Sequence, residues 1–189
     1  CQAPLPKNNL FWTTPADQVK AKHPVDIAVL MPRDNTIRTS LFPGISPPAL
    51  PLVQIREQAY RELIRGRYTP ISLDYLDSAF IGRATPTEAS YKEIEEKTAA
   101  DATLSISIKR WDTSRFYGDR LFSIGAEVFL VDTKTGETLW HANADWDMDL
   151  SNEPDLDRVT NPELNQRAIQ RFFQRIFQAF PVRETPEKI

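Results

Sequence analysis

Three runs decide the fold: Ala102-Thr-Leu-Ser-Ile-Ser-Ile-Lys-Arg-Trp111, Leu121-Phe-Ser-Ile-Gly-Ala-Glu-Val-Phe-Leu-Val-Asp132 and Thr138-Leu-Trp-His-Ala-Asn-Ala-Asp-Trp-Asp-Met-Asp149. In the first, Leu104, Ile106 and Ile108 alternate with Ser105, Ser107 and Lys109. A period of two is the signature of a half-buried strand. Phe122, Ile124, Ala126, Val128 and Leu130 repeat it, as do Trp140, Ala142, Ala144, Trp146 and Met148. A turn around Tyr117-Gly118-Asp119 separates the first two runs, and Asp132-Thr-Lys-Thr-Gly136 joins the last two as a hairpin with a residue at positive φ. The reading is a three-strand antiparallel meander with one apolar face that needs a cover.

Working outward, the last helix supplies that cover. Asn161 is read as its cap and Pro162 as its first residue. Leu164, Ala168, Phe172, Ile176 and Phe180 form one row, flanked by Ile169, Phe173 and Phe177, and Pro181 stops it. The aromatic cluster fits a core better than a membrane-inserting face. Arg167, Arg171 and Arg175 flank the stripe and are expected to pair with the acidic residues of 153–157. Before the meander, residues 25–31 are a nearly continuous apolar run, read as a strand buried on both faces. Residues 52–64 show a helical stripe ended by Gly66 as C-cap, and a short strand is expected over 68–72. Ser72 caps a helix carrying Leu73, Leu76 and Phe80, while Ser90 and Glu93 have capping-box spacing for another. Residues 33–51 are left as a long loop, with Ile37, Leu41, Phe42 and Ile45 as a candidate partner-binding surface or a lid on the core. The fold class is α+β: a two-layer sandwich in which helices pack on one or both faces of a mixed β-sheet.

Residues 2–24 hold four prolines and read as an N-terminal tether, about 80 Å long if fully stretched at roughly 3.3 Å per residue. Within it Leu10, Phe11 and Trp12 could touch membrane or partner, but packing against the chain's own domain is the preferred reading. The expected organisation is thus a tether over 1–24, one domain over 25–182 and a tail over 183–189. The sole cysteine is residue 1, and a chain starting at Cys resembles a mature bacterial lipoprotein with acyl chains on that residue. The alternative is a cut end that happens to fall at a cysteine. Two or three acyl chains would anchor durably, since each buried CH₂ contributes about 0.8 kcal/mol. By the enterobacterial sorting rule that this resemblance brings with it, Gln2 in place of Asp implies the outer membrane.

A second resemblance rests on Cys1, the 25–31 strand, Ala100-Asp101-Ala102 leading into Leu104, and Val131-Asp-Thr-Lys-Thr-Gly-Glu-Thr-Leu-Trp140. These features resemble a family of bacterial outer-membrane lipoproteins of the meningococcal surface-antigen type. Its members occur near curli-secretion-like channel lipoproteins, and their fold is similar to the N-terminal domain of TolB. The resemblance implies a place and a fold, with other envelope lipoproteins or channel proteins as partners, but no chemistry.

The totals narrow the function further. A net charge of −3 with both signs mixed argues against nucleic acid as partner. The two histidines, His23 and His141, accompany no Gly-x-Ser-x-Gly elbow, and the six glycines form no phosphate loop. No cofactor is expected and the chain is read as non-enzymatic; carboxylate-only chemistry of the glycosidase kind ranks last. Asp145, Asp147 and Asp149 alternate along one strand, about 7 Å apart on one side, and are a weak candidate for holding a metal ion. The EF-hand pattern fails, because Leu150 and Leu156 stand where Gly and Glu are required. The lead expectation is a lipid-anchored accessory protein that binds other envelope proteins at the periplasmic face or cell surface. The alternative is a lipoprotein that carries a small ligand or ion. Homo-oligomerisation through a free sheet edge is compatible with the fold.

Overall fold

The computed structural model describes residues 7–37, 48–81 and 90–184. The three runs form strands β5 (Ala102–Asp112), β6 (Leu121–Asp132) and β7 (Thr138–Asp149), paired antiparallel as their alternation predicts. Asp132 organises the hairpin between the last two: its side chain accepts from the amides of Lys134 and Thr135. Gly136 closes it at φ 71°, where a Cβ is disfavoured.

Two further strands precede helix α2 (Leu52–Arg65): β2 (Asp26–Val29) and β3 (Arg33–Asp34), both parallel to β5. The short β4 (Thr69–Pro70) pairs parallel with β2, leaving β2 interior and its Ile27, Ala28 and Val29 fully buried. The single stretch read as a long loop over 33–51 is partly ordered at its two described ends: 33–34 pair as a strand, and Leu50 turns back into the core.

The segment read as tether is corrected over its described part. Residues 9–13 form strand β1 (Asn9–Thr13), antiparallel to β7, and 17–22 form helix α1 (Asp17–Lys22), whose Val19 is buried. Alternation explains the strand: Phe11 faces the core while Leu10 and Trp12 face outward. The described residues thus build a seven-stranded mixed sheet ordered β1-β7-β6-β5-β2-β4, with β3 beside β5 beyond β2.

Helices α1, α2 and α6 (Asn161–Phe177) cover one face, where Phe122, Trp140, Phe172 and Phe173 meet with almost no exposure. Helices α3 (Leu73–Ala79) and α4 (Tyr91–Thr98) pack on the other face at the β2 end only, around Ala28, Leu30, Leu76, Phe80 and Ile94. Ser72 and Ser90 cap these two helices as expected. The cap of α6 lies one residue upstream of the expected Asn161: Thr160 donates from its amide and its hydroxyl to Glu163. Gly66 ends α2 at negative φ, and Arg67 takes the left-handed conformation instead. A four-residue helix, α5 (Phe116–Asp119), replaces the simple turn expected before β6. The buried Arg56 of α2 ties the layers together, donating to the Val29 carbonyl and to both oxygens of Asp77.

Candidate functional site

From β1 to β5 the second face of the sheet carries no packed helix among the described residues. Its rows follow from the register. Phe129 lies opposite His141, Glu127 opposite Asn143, Gly125 opposite Asp145 and Ser123 opposite Asp147. Phe129 and His141 stack at 4.1 Å with their planes 8° apart, and Trp12 makes a T-shaped contact with His141 at 5.2 Å. Trp12 is 51% and Leu10 50% exposed, so the row ends in apolar surface open to solvent.

A charge network lies beside this aromatic row. The pairing of β5 with β6 shifts by one residue between Ile108 and Arg110. This bulge reverses the alternation, so Arg110 emerges on the open face and Trp111 turns inward onto Phe122. Without the shift Arg110 would point into the apolar core. Gly125 leaves room for it, because a Cβ there would come within 3.0 Å of the Arg110 Cβ. Arg110 Nη2 lies 2.6 Å from Asp145 Oδ1 and from Asp147 Oδ1. Asp147 also accepts from the Ser123 hydroxyl at 2.6 Å and the Asn8 amide at 2.7 Å. Burial opposes ionisation of Asp147, but the bonds from Ser123 and Asn8 and the Arg110 guanidinium outweigh it and hold the carboxyl below the usual range. Asp149 is held lower still, by Lys7 at 2.7 Å and by the amide and hydroxyl of Ser151.

The three candidate metal ligands therefore share one face, but Asp145, Asp147 and Asp149 are each engaged by a basic side chain. A divalent cation would have to displace Arg110 and Lys7. Among the described residues no group of three or more His, Cys, Asp or Glu is arranged to hold a metal. Of the expected partner-binding residues, Ile37 is 97% exposed just beyond β3. Leu41, Phe42 and Ile45 lie outside the described residues, as does Cys1.

The arginines of α6 divide their roles. Arg171 pairs with Glu153 and Arg167 donates to the Pro154 carbonyl, both in the expected acidic segment. Arg175 does neither: its guanidinium lies 4.0 Å from the Phe11 ring centre and 4.7 Å from that of Trp146. Beside it a cavity of about 320 Å³ opens between the sheet and the end of α6. Ala142 and Ala144 line it, two small residues set between Trp140 and Trp146 on the core face of β7. The sequence carries that signal as Trp-x-Ala-x-Ala-x-Trp, but the meaning depends on α6 and β1 standing over it.

No family model and no curated protein sequence matches the chain. Its class is set by architecture: an α+β fold with helices on a mixed open sheet, shared by shape with solved structures of low sequence identity. Lipoprotein GNA1162 from Neisseria meningitidis superposes with a TM-score of 0.55 at 16% identity, over 83% of this chain and 99% of that one. PelC from Paraburkholderia phytofirmans, a dodecamer, gives 0.54 at 14% identity over 94% and 100%. The hypothetical protein CT253 from Chlamydia trachomatis gives 0.51 at 14% identity over 82% and 92%.

Proposed function

We propose that the chain is a cell-envelope lipoprotein that works by contact, without catalysis, binding other envelope proteins through the open face of its sheet. The observation that carries this reading is the row of Trp12, His141 and Phe129, with Leu10 beside it, on a face that no described helix covers. Half-exposed aromatics on an uncovered surface are typical anchors of a protein interface. The same-fold lipoprotein GNA1162 supports the lipoprotein part of this reading. Acylation of Cys1 and an outer-membrane address belong to the same proposal. Mass spectrometry of the native N-terminus tests the anchor, where an unacylated mature chain would remove it. Affinity capture from detergent-solubilised membranes, comparing wild type with Leu10→Ser/Trp12→Ser, tests the face. The expected result is a defined envelope protein retained by the wild type and lost by the variant. Equal retention by both would remove this face from the account. Self-association is the second reading, favoured by the dodecameric PelC of the same fold. Sedimentation of the purified chain distinguishes a monomer from a ring.

A further inference from the structure

β1 is an edge strand, and its pairing shows which of its backbone groups are spoken for. Asp147 donates its amide to the Asn8 carbonyl, and Thr14 donates its amide to the His141 carbonyl. Between these two points the residues alternate, so Leu10 and Trp12 direct their backbone groups to β7. The N–H and C=O groups of Asn9, Phe11 and Thr13 point away from the sheet, and no described segment pairs with them. An unprotected row of this kind is a template for another strand. Alongside the same edge opens the cavity floored by Ala142 and Ala144 and bounded by Arg175, Ile176 and Gln178. Arg175 is half-buried and has no carboxylate partner among the described residues. Its guanidinium is oriented by two aromatic rings, which leaves its donors available at the rim.

We propose that the free side of β1 receives an extended peptide segment of a partner protein as an added strand, with a carboxylate of that segment paired to Arg175. Main-chain bonds to Asn9, Phe11 and Thr13 supply the pairing, and alternate side chains supply specificity by entering the cavity. The charge selects the occupant: a lone arginine at a strand edge disfavours basic segments and favours acidic ones. This inference rests on the contact function proposed above and names a surface and a chemistry for it.

The test uses the full chain and nine-residue linear peptides selected from a random display library. The selected peptides are resynthesised with a free C-terminus, with a C-terminal amide, and with each acidic residue replaced by its amide. Expected are sequences of alternating apolar residues with one carboxylate, whose binding slows hydrogen exchange at the amides of Asn9, Phe11 and Thr13. The amidated and neutralised forms show whether the carboxylate is terminal or on a side chain. Arg175→Gln should weaken binding about tenfold, the loss of one charge-assisted contact. Thr13→Pro should abolish binding and leave the melting temperature close to wild type, because that N–H faces away from β7 and proline is tolerated on such an edge. Neutral selected peptides that bind Arg175→Gln equally well would overturn the pairing. So would unchanged exchange at the three amides, or protection there that appears with protein concentration alone and marks a second copy on the edge. Partner capture that survives Thr13→Pro but not Trp12→Ser would sink the edge site and leave the contact function standing.

Discussion

Replacing Arg110 with methionine removes the cation that balances the open face and keeps a similar aliphatic stem. Asp147 is 7% exposed, so its charge has little access to solvent. After the substitution it retains the Ser123 hydroxyl and the Asn8 amide but loses its guanidinium. Breaking a fully buried ion pair costs about 3–5 kcal/mol. Here two hydrogen bonds survive and the Arg110 side chain is 33% exposed, which lowers the expectation to about 2 kcal/mol. Asp147→Asn should cost about 1 kcal/mol, since the amide can accept from Asn8 and donate to Ser123 while Arg110 keeps Asp145. The double variant should cost less than the sum, with a coupling of about 1 kcal/mol. Urea unfolding at neutral pH, followed by tryptophan fluorescence, measures all three. The acid side provides a sign check. The carboxyl of Asp147 titrates below the usual range in the folded chain, so its contribution is complete above about pH 4 and disappears as pH falls through the folded value. The penalty of Arg110→Met should therefore shrink in acid, where the unpaired carboxylate is neutralised. A change within about 0.5 kcal/mol of wild type at neutral pH would refute the reasoning. Strict additivity of the two single changes would refute it equally.

Gly125→Ala should destabilise by about 1–2 kcal/mol and displace Arg110, because the new methyl meets the Arg110 Cβ at 3.0 Å; chemical denaturation and the acid profile report both effects. Phe172→Ala opens the interface between α6 and the sheet at a fully buried ring, for about 3–5 kcal/mol and a melting temperature lower by roughly 10 °C. Trp12→Ser, on a half-exposed ring, should move stability by no more than about 0.5 kcal/mol while partner capture falls, separating binding from folding in one variant.

Apart from the caps expected at Asn161 and Gly66, local chemistry was legible in most places where a side-chain pattern and its structural consequence lie within a few residues of each other. The alternation in β5, β6 and β7, the Asp132 to Gly136 hairpin and the caps at Ser72 and Ser90 are of this kind. So is the stripe of α6, whose Phe172 and Phe173 read better as core than as a membrane-inserting face and are fully buried. The common face of Asp145, Asp147 and Asp149 also follows from a period of two alone.

What occupies that face did not follow, because partners distant in sequence decide it. The bulge that brings Arg110 to Asp147 is an offset between two strands, and nothing in the Ser-Ile-Lys-Arg-Trp run announces which residue is the extra one. The N-terminal segment looked like a tether because its prolines are local and visible. Phe11 and Trp12 become a strand only against β7, more than a hundred residues away. The alanines of β7 line a cavity only when α6 and β1 are set over them, and Arg175 is left without a carboxylate among the described residues only when its helix lies against Phe11 and Trp146. Sequence by itself determined which residues alternate and where most caps and the Asp132 to Gly136 hairpin fall, since those preferences act within one element. Tertiary structure alone decided which edge and which charge stayed unpaired among the described residues, since both are properties of elements brought together.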